Sequence, residues 1–169
     1  GFKALIGLKP VGSDRGGTAI LIRRDADNIN ISSHGFAQSG RTTYVDLTMH
    51  SHAVRVLSCY APSDSLARSD YFLKLNRHVT LASLLMGDWN CVLDPSLDLK
   101  RSSNLPYDNI GAIELQKLVD KFKLRDELRE GMGLDFEFTK KTATQYGYAL
   151  TRIDRGHTPV IPDTQITPD

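Results

Sequence analysis

The sequence predicts an α/β domain, a mixed sheet packed with helices, and three observations point to it. Over the first ninety residues, short apolar runs of strand length alternate with Gly, Pro, Asp and Ser. Two of these runs are spaced as a hairpin. Two other stretches carry apolar residues at helical spacing, irregularly interleaved with strand-length runs. At 169 residues and 18.8 kDa the chain has the size of one domain, for which ~100–200 residues is ordinary. A hydrophobic fraction of 40% beside 24% charged residues is that of a globular chain, and excludes disorder, collagen and coiled coil.

Taken in order, Gly16-Gly17 opens residues 18–23, Thr-Ala-Ile-Leu-Ile-Arg, whose apolar run predicts a strand buried on both faces. Residues 43–49 alternate, with Val45, Leu47 and Met49 on one face, and a strand over 53–60 follows. His50-Ser51-His52 between them predicts a hairpin turn. After Ala61-Pro62-Ser63-Asp64, the residues Tyr71, Phe72, Leu75 and Val79 recur at helical spacing and predict a helix over 69–80 with a core-facing aromatic stripe. Residues 83–86 then predict a short buried strand ending in Gly87. A second helix is predicted over 109–123, with Asp108 as N-cap and Ile110, Ile113, Leu118, Val119 and Phe122 on one side. Strands are predicted again over 135–139 and 150–155. The last twelve residues hold three prolines and read as a loop cut before its next element.

Net charge, +1, is silent about partners. Residues 1–90 carry ten Lys/Arg and seven Asp/Glu, residues 91–169 eleven and thirteen, so neither half is a basic arm. Between positions 140 and 155, Lys140, Lys141, Arg152 and Arg155 face only Asp154, an excess suited to phosphates, although by charge alone a solvated loop is the plainer reading. No run approaches the ~18–20 apolar residues of a membrane helix, and residues 1–10 lack a signal-peptide core. Cys59 and Cys91 are too few for a disulfide framework or a cysteine zinc site. They read as small buried hydrophobes in a reduced, intracellular protein. His50 and His52, two apart on a strand, could share a metal, but no third ligand is near in sequence and a polar turn is preferred. His34, His78 and His157 stay unassigned.

Three segments carry chemistry. In Gly87-Asp88-Trp89-Asn90, at the end of an apolar strand, Asp88 and Asn90 project to one side and Trp89 to the other. The carboxylate can accept a proton from water and the amide can donate to an oxyanion. An Asx-type turn closing the strand explains the same residues equally well. In Thr151-Arg152-Ile153-Asp154-Arg155, Arg152 and Asp154 share a face while Ile153 faces the core. Asp154 can orient a histidine or approach a metal, and Thr151 and Arg155 can touch a phosphate backbone, whereas a surface ion pair is the alternative. Finally, Tyr60 ends the strand over 53–60 just before Pro62, with its hydroxyl placed either for a phosphoryl oxygen or for edge packing.

The order of these segments resembles the endonuclease/exonuclease/phosphatase superfamily, the DNase I-like fold. Gly-Gly-x-Ala-Ile-Leu-Ile is followed by Cys-Tyr-Ala-Pro-Ser, Gly-Asp-Trp-Asn-Cys-Val-Leu and Thr-Arg-Ile-Asp-Arg. Within it, Tyr60-Ala61-Pro62 followed by Arg68 and Tyr71-Phe72, then Asp88-Trp89-Asn90-Cys91 and Arg152-Ile153-Asp154-Arg155, is most similar to the apurinic-type endonuclease domain of non-LTR (LINE-type) retrotransposons. The resemblance covers roughly residues 16–155.

The resemblance implies a two-layered β-sandwich flanked by helices, incomplete at both termini. Residues 1–155 would form the partial domain and residues 156–169 a tail cut before a final strand. It implies a metal-dependent phosphodiesterase, a DNA endonuclease nicking target DNA with Mg²⁺ or Mn²⁺. Asp88 would position or deprotonate the attacking water, Asn90 would hydrogen-bond phosphoryl oxygens, Tyr60 would hold the scissile phosphate and Asp154 would orient a catalytic histidine. Thr151, Arg152 and Arg155 would bind substrate. The family's metal-anchoring Glu would precede Gly1 and its terminal Ser-Asp-His would follow Asp169, so the expectation is an impaired site with a weakly bound metal. DNA, and a reverse transcriptase domain downstream in the same polyprotein, are the implied partners, and the nucleus the implied location. The alternatives are a catalytically dead remnant acting at most as a nucleic-acid-binding or interaction fragment, and a sibling phosphatase.

Overall fold

Alternating strands need two covers, one for each face, and the chain supplies helices for one and a second pair of strands for the other. The computed structural model describes residues 1–8, 16–102, 107–126, 139–144, 147–151 and 153–159. The elements are β1 (Phe2–Gly7), β2 (Thr18–Arg23), β3 (Ile29–Ala37), β4 (Thr42–Met49), β5 (His52–Tyr60), α1 (Ser65–Leu75), β6 (Ser83–Asp88) and α2 (Pro95–Asp98). They continue with β7 (Leu99–Arg101), α3 (Ala112–Lys121), β8 (Leu124–Asp126), β9 (Lys140–Thr144), β10 (Gly147–Thr151) and β11 (Asp154–Pro159). The main sheet has the order β3-β4-β5-β6-β11-β8. Among the described residues only β5 and β6 pair in parallel, and α1 is the crossover that a parallel pair requires. β1 pairs with β2, and β7-β10-β9 form a small third sheet.

The two-residue period sorts the side chains. Leu57, Cys59 and Leu85 face the helices and pack with Tyr71, Phe72 and Leu75 of α1 and Leu115, Leu118 and Val119 of α3. Val45 and Leu47 face the other way, onto Leu5 of β1 and Ile20 and Ile22 of β2. The result is the expected β-sandwich flanked by helices. The hairpin turn is also as expected: Met49 pairs with His52, and His50 and Ser51 between them both have positive φ, the pattern of a two-residue primed turn. His52 Nδ1 lies 2.9 Å from the His50 carbonyl oxygen. Both cysteines are buried and free, and burial pushes the Cys59 thiol up to about 12 and the Cys91 thiol up to about 11.

Several expectations need correcting. β2 is not buried on both faces: among the described residues it pairs with β1 alone and covers the main sheet with one side, leaving Leu21 63% exposed. The first helix runs from Ser65 to Leu75, earlier than predicted, because the Asp64 carboxylate accepts the Ala67 N–H and caps it. Val79 is buried from the turn that follows. The second helix begins only at Ala112, since Gly111 has φ 98° and cannot be helical. Asp108 does not cap it. Its carboxylate takes the Ile110 N–H and the Arg68 guanidinium, which also donates to the Ile110 carbonyl, and Ile110 and Ile113 are left exposed.

In the short strand over 83–86, Ser83 and Leu85 are buried but Met86 is exposed. The strand over 150–155 is in fact two. The chain leaves β10 at Thr151 and enters β11 at Asp154, in a different sheet, because the Thr139 hydroxyl accepts the N–H groups of Ile153 and Asp154 at the break. β11 continues to Pro159, past the predicted start of the tail. Of the strand over 135–139 only Thr139 is described, and residues 160–169 lie outside the described residues.

Gly87 lies opposite Cys59 in the β5–β6 ladder, and a Cβ there would lie 1.9 Å from the Cys59 carbonyl oxygen. That oxygen is backbone and cannot swing aside. Gly87→Ala is therefore expected to lower stability by at least about 2 kcal/mol, at the upper part of the range for overpacking. Chemical denaturation checks this, and a midpoint equal to wild type would show that the strands can part.

Candidate active site

Three strand ends meet in one row. In the β5–β6 ladder Tyr60 stands opposite Asp88, and in the β6–β11 ladder Asp154 stands opposite Asp88. Residues directly opposite share a face, with Cβ atoms ~4.5–5.5 Å apart across an antiparallel pair such as Asp88 and Asp154, so the hydroxyl and the two carboxylates leave the sheet together. Backbone bonds fix the row. The Ala61 N–H donates to the Asp88 carbonyl at 2.8 Å and the Trp89 N–H to the Ile153 carbonyl at 2.9 Å. Trp89 points the other way and is fully buried, against the rings of Phe72 and His157.

Asn90 turns back toward the row. Its φ of 49° is left-handed, a conformation Asn tolerates, and it brings the Asn90 N–H to Asp88 Oδ1 at 2.8 Å. The Asx turn and the polar pair are thus the same structure. The Asn90 side chain is clamped from both ends: Nδ2 donates to the Ala61 carbonyl at 2.8 Å, and Oδ1 accepts from Lys140 Nζ at 3.2 Å.

Burial raises the Asp88 carboxyl above its ordinary value, and the charge of Asp154 pushes it the same way. The Asn90 N–H and Lys140 oppose the rise without cancelling it. Asp154 is exposed and Tyr60 half-buried, with the Arg41 guanidinium 5.2 Å over the Tyr60 ring. A carboxylate held closer to neutral pH, beside fixed donors, suits the site to moving a proton near an anion.

The remaining candidates are placed differently. Thr151 is buried at the end of β10, opposite Lys140 in the ladder with β9. Arg155 is not at the row, a correction to the expectation that it meets a phosphate backbone. It pairs with Gly87, one residue from Asp88, so it faces the helices, is 2% exposed and donates to Asp98 Oδ2 at 2.7 Å, with Asp126 at 3.7 Å. Arg152 lies outside the described residues. Lys140 and Arg41 also stand at the site. Lys140 belongs to the basic excess, a signal that was present, whereas no local pattern marks Arg41. Among the described residues no three His, Cys, Asp or Glu gather as a metal cluster, and no helix is long and apolar enough to cross a membrane.

No family model matches the chain, and no curated protein matches it in sequence. Solved structures do. The chain is similar to the endonuclease domain of TRAS1, a telomere-specific non-LTR retrotransposon, with TM-score 0.57 and 12% identity over 92% of this chain and 66% of that one. It is also similar to D. rerio TDP2 complexed with single strand DNA product (TM-score 0.56, 14% identity, 99% and 64% covered). Truncated Caenorhabditis elegans TDP2 gives TM-score 0.54 and 18% identity, with 96% and 63% covered. At such identities the likeness is one of fold, and the fold is DNase I-like. The chain spans a little under two thirds of the length of these structures.

The raised Asp88 carboxyl has a consequence for stability. Protonated Asp88 favours the fold, and that benefit is lost as pH rises through the folded-state value, so ionised Asp88 is a cost at neutral pH. Asp88→Asn keeps an oxygen for the Asn90 N–H and removes the charge. It is expected to melt higher than wild type at pH 7, with the gain vanishing below about pH 4, the ordinary carboxylate range. Thermal melts across pH check this; a lower melting temperature at pH 7 would show that ionised Asp88 supports the fold.

Proposed function

We propose that this chain hydrolyses phosphodiester bonds in DNA, as an endonuclease nicking target DNA. The observation that carries the reading is the row of Tyr60, Asp88 and Asp154 with Asn90 turned in beside it. Support comes from the neighbours of the same fold, one described as a retrotransposon endonuclease domain and another as bound to a single strand DNA product. A reverse transcriptase domain in the same polyprotein and a nuclear location belong to the same reading.

Asp88 positions the attacking water and receives its proton, the task its raised carboxyl suits. The water oxygen bonds to phosphorus as the bond to the leaving sugar oxygen breaks in line. Asn90 has one amide N–H left after its bond to Ala61, and this donates to a phosphoryl oxygen, as does the Tyr60 hydroxyl. Mg²⁺ usually takes one or two protein carboxylates and completes its shell with phosphate and water. The exposed Asp154, next to Asp88 in the row, fits that share and would contribute a carboxylate to Mg²⁺ or Mn²⁺, which when bound neutralises charge on the phosphate. Asp154 is also the carboxylate proposed to orient a histidine. Arg152 is the residue proposed for the DNA backbone. The buried Thr151 and Arg155 serve by holding the strands that carry the row.

Conversion of supercoiled plasmid to open circles in Mg²⁺ tests this. The expected result is slow, Mg²⁺-dependent nicking that falls by ~10²–10⁴-fold, or to background, in Asp88→Ala and in Asp154→Ala. Nicking that survives both substitutions would overturn the assignment. DNA binding without any nicking would instead favour a remnant that only binds nucleic acid.

A further inference from the structure

The amine of Lys140 does something unusual for an exposed lysine beside two carboxylates. It donates to a neutral amide oxygen, Asn90 Oδ1, at 3.2 Å. Among the described residues it forms no ion pair, although Asp88 and Asp154 stand in the adjoining row. Its charge acts on Asp88 from beyond ion-pair distance. Its placement is also fixed by backbone. Lys140 opens β9 opposite Thr151, the Thr139 N–H donates to the Thr151 carbonyl at 3.0 Å, and the Thr139 hydroxyl takes the N–H groups of Ile153 and Asp154. The segment that carries Lys140 is thus tied directly to the one that carries Asp154. Lys141, the next residue, points to the opposite face of the strand.

We propose that Lys140 binds the substrate phosphate: one ammonium N–H holds the Asn90 carboxamide by its oxygen, and the others reach a phosphoryl oxygen. This rests on the phosphodiesterase reading above. An amide holds a defined orientation only if its two ends are distinguished, and here Lys140 takes the oxygen end while Ala61 takes the nitrogen end. The remaining Asn90 N–H and the Lys140 ammonium then converge on one anion. A phosphate approaching two carboxylates meets repulsion, and Lys140 is a fixed cation beside the row that offsets it. An ammonium with spare donors suits this task as a point charge.

Binding of a fluorescein-labelled DNA duplex to the full 169-residue chain, followed by anisotropy in EDTA between about 50 and 200 mM salt, tests the proposal. Each phosphate contact contributes ~0.9 to the slope of log affinity against log salt. Lys140→Met is expected to reduce the slope by about that amount, Lys140→Arg to retain it, and Lys141→Met, with the same net charge as Lys140→Met, to leave it unchanged. The side-chain amide signals of Asn90 in a ¹⁵N spectrum are expected to move in Lys140→Met and stay in place in Lys141→Met. If the wild-type chain binds DNA and the two Met variants have equal slopes, the proposal fails while the nuclease reading stands. If the wild-type chain shows no salt-dependent binding, the nuclease reading fails and takes the proposal with it.

Discussion

The lateral register of β5, β6 and β11 is the constraint on which the site depends. Side chains alternate along a strand, so a slip of one residue between β6 and β11 would turn Asp154 to the helix side and bring Arg155 out in its place. Interactions on both faces oppose such a slip. On the helix side, Trp89 is locked between Phe72 and His157, and Arg155 is held in a buried ion pair with Asp98 of α2. Breaking such a pair leaves an uncompensated buried charge, which costs ~3–5 kcal/mol. Along the ladder, Gly87 lets β6 lie against the Cys59 carbonyl, and bonds from Ala61 and Trp89 close the strand ends.

The same residues that build this edge also strain it. Asp88 ends a strand, anchors the turn through the Asn90 N–H and carries its charge half-buried beside a second carboxylate. Asn90 adopts a left-handed backbone, and its side chain is committed at both ends. Groups held this way are costly to the fold and useful to chemistry, the common trade between stability and activity. The buried helix side, with its close-packed aromatic residues, keeps that strained edge in place.

Much of this was legible in the sequence because it is local. Alternation at Val45 and Leu47 marks β4, His50-Ser51 marks its turn, and Gly-Asp-Trp-Asn turns Asp88, the last residue of β6, and Trp89, just past it, to opposite sides of the sheet. What was not legible depends on partners far along the chain. Arg68 reaches 40 residues forward to Asp108, takes away the cap of the predicted helix and leaves its start to Gly111. Arg155 looks in sequence like a basic residue ready for a phosphate, and only the distant Asp98 shows that it is internal. Lys140 meets Asn90 across 50 residues, and no spacing rule links them. Local pattern shows which face a residue takes; it does not show which residue waits on that face.

The central claim is that Asp88 and Asp154 share one edge closely enough for Asp88 to feel the charge of Asp154. The most direct measurement is the titration of the Asp88 carboxyl, followed by ¹³C NMR in the wild-type chain and in Asp154→Asn. Burial keeps Asp88 above the ordinary value in both proteins, and loss of the neighbouring charge is expected to lower it in the variant. An Asp88 midpoint that does not move when Asp154 is neutralised would contradict the shared edge.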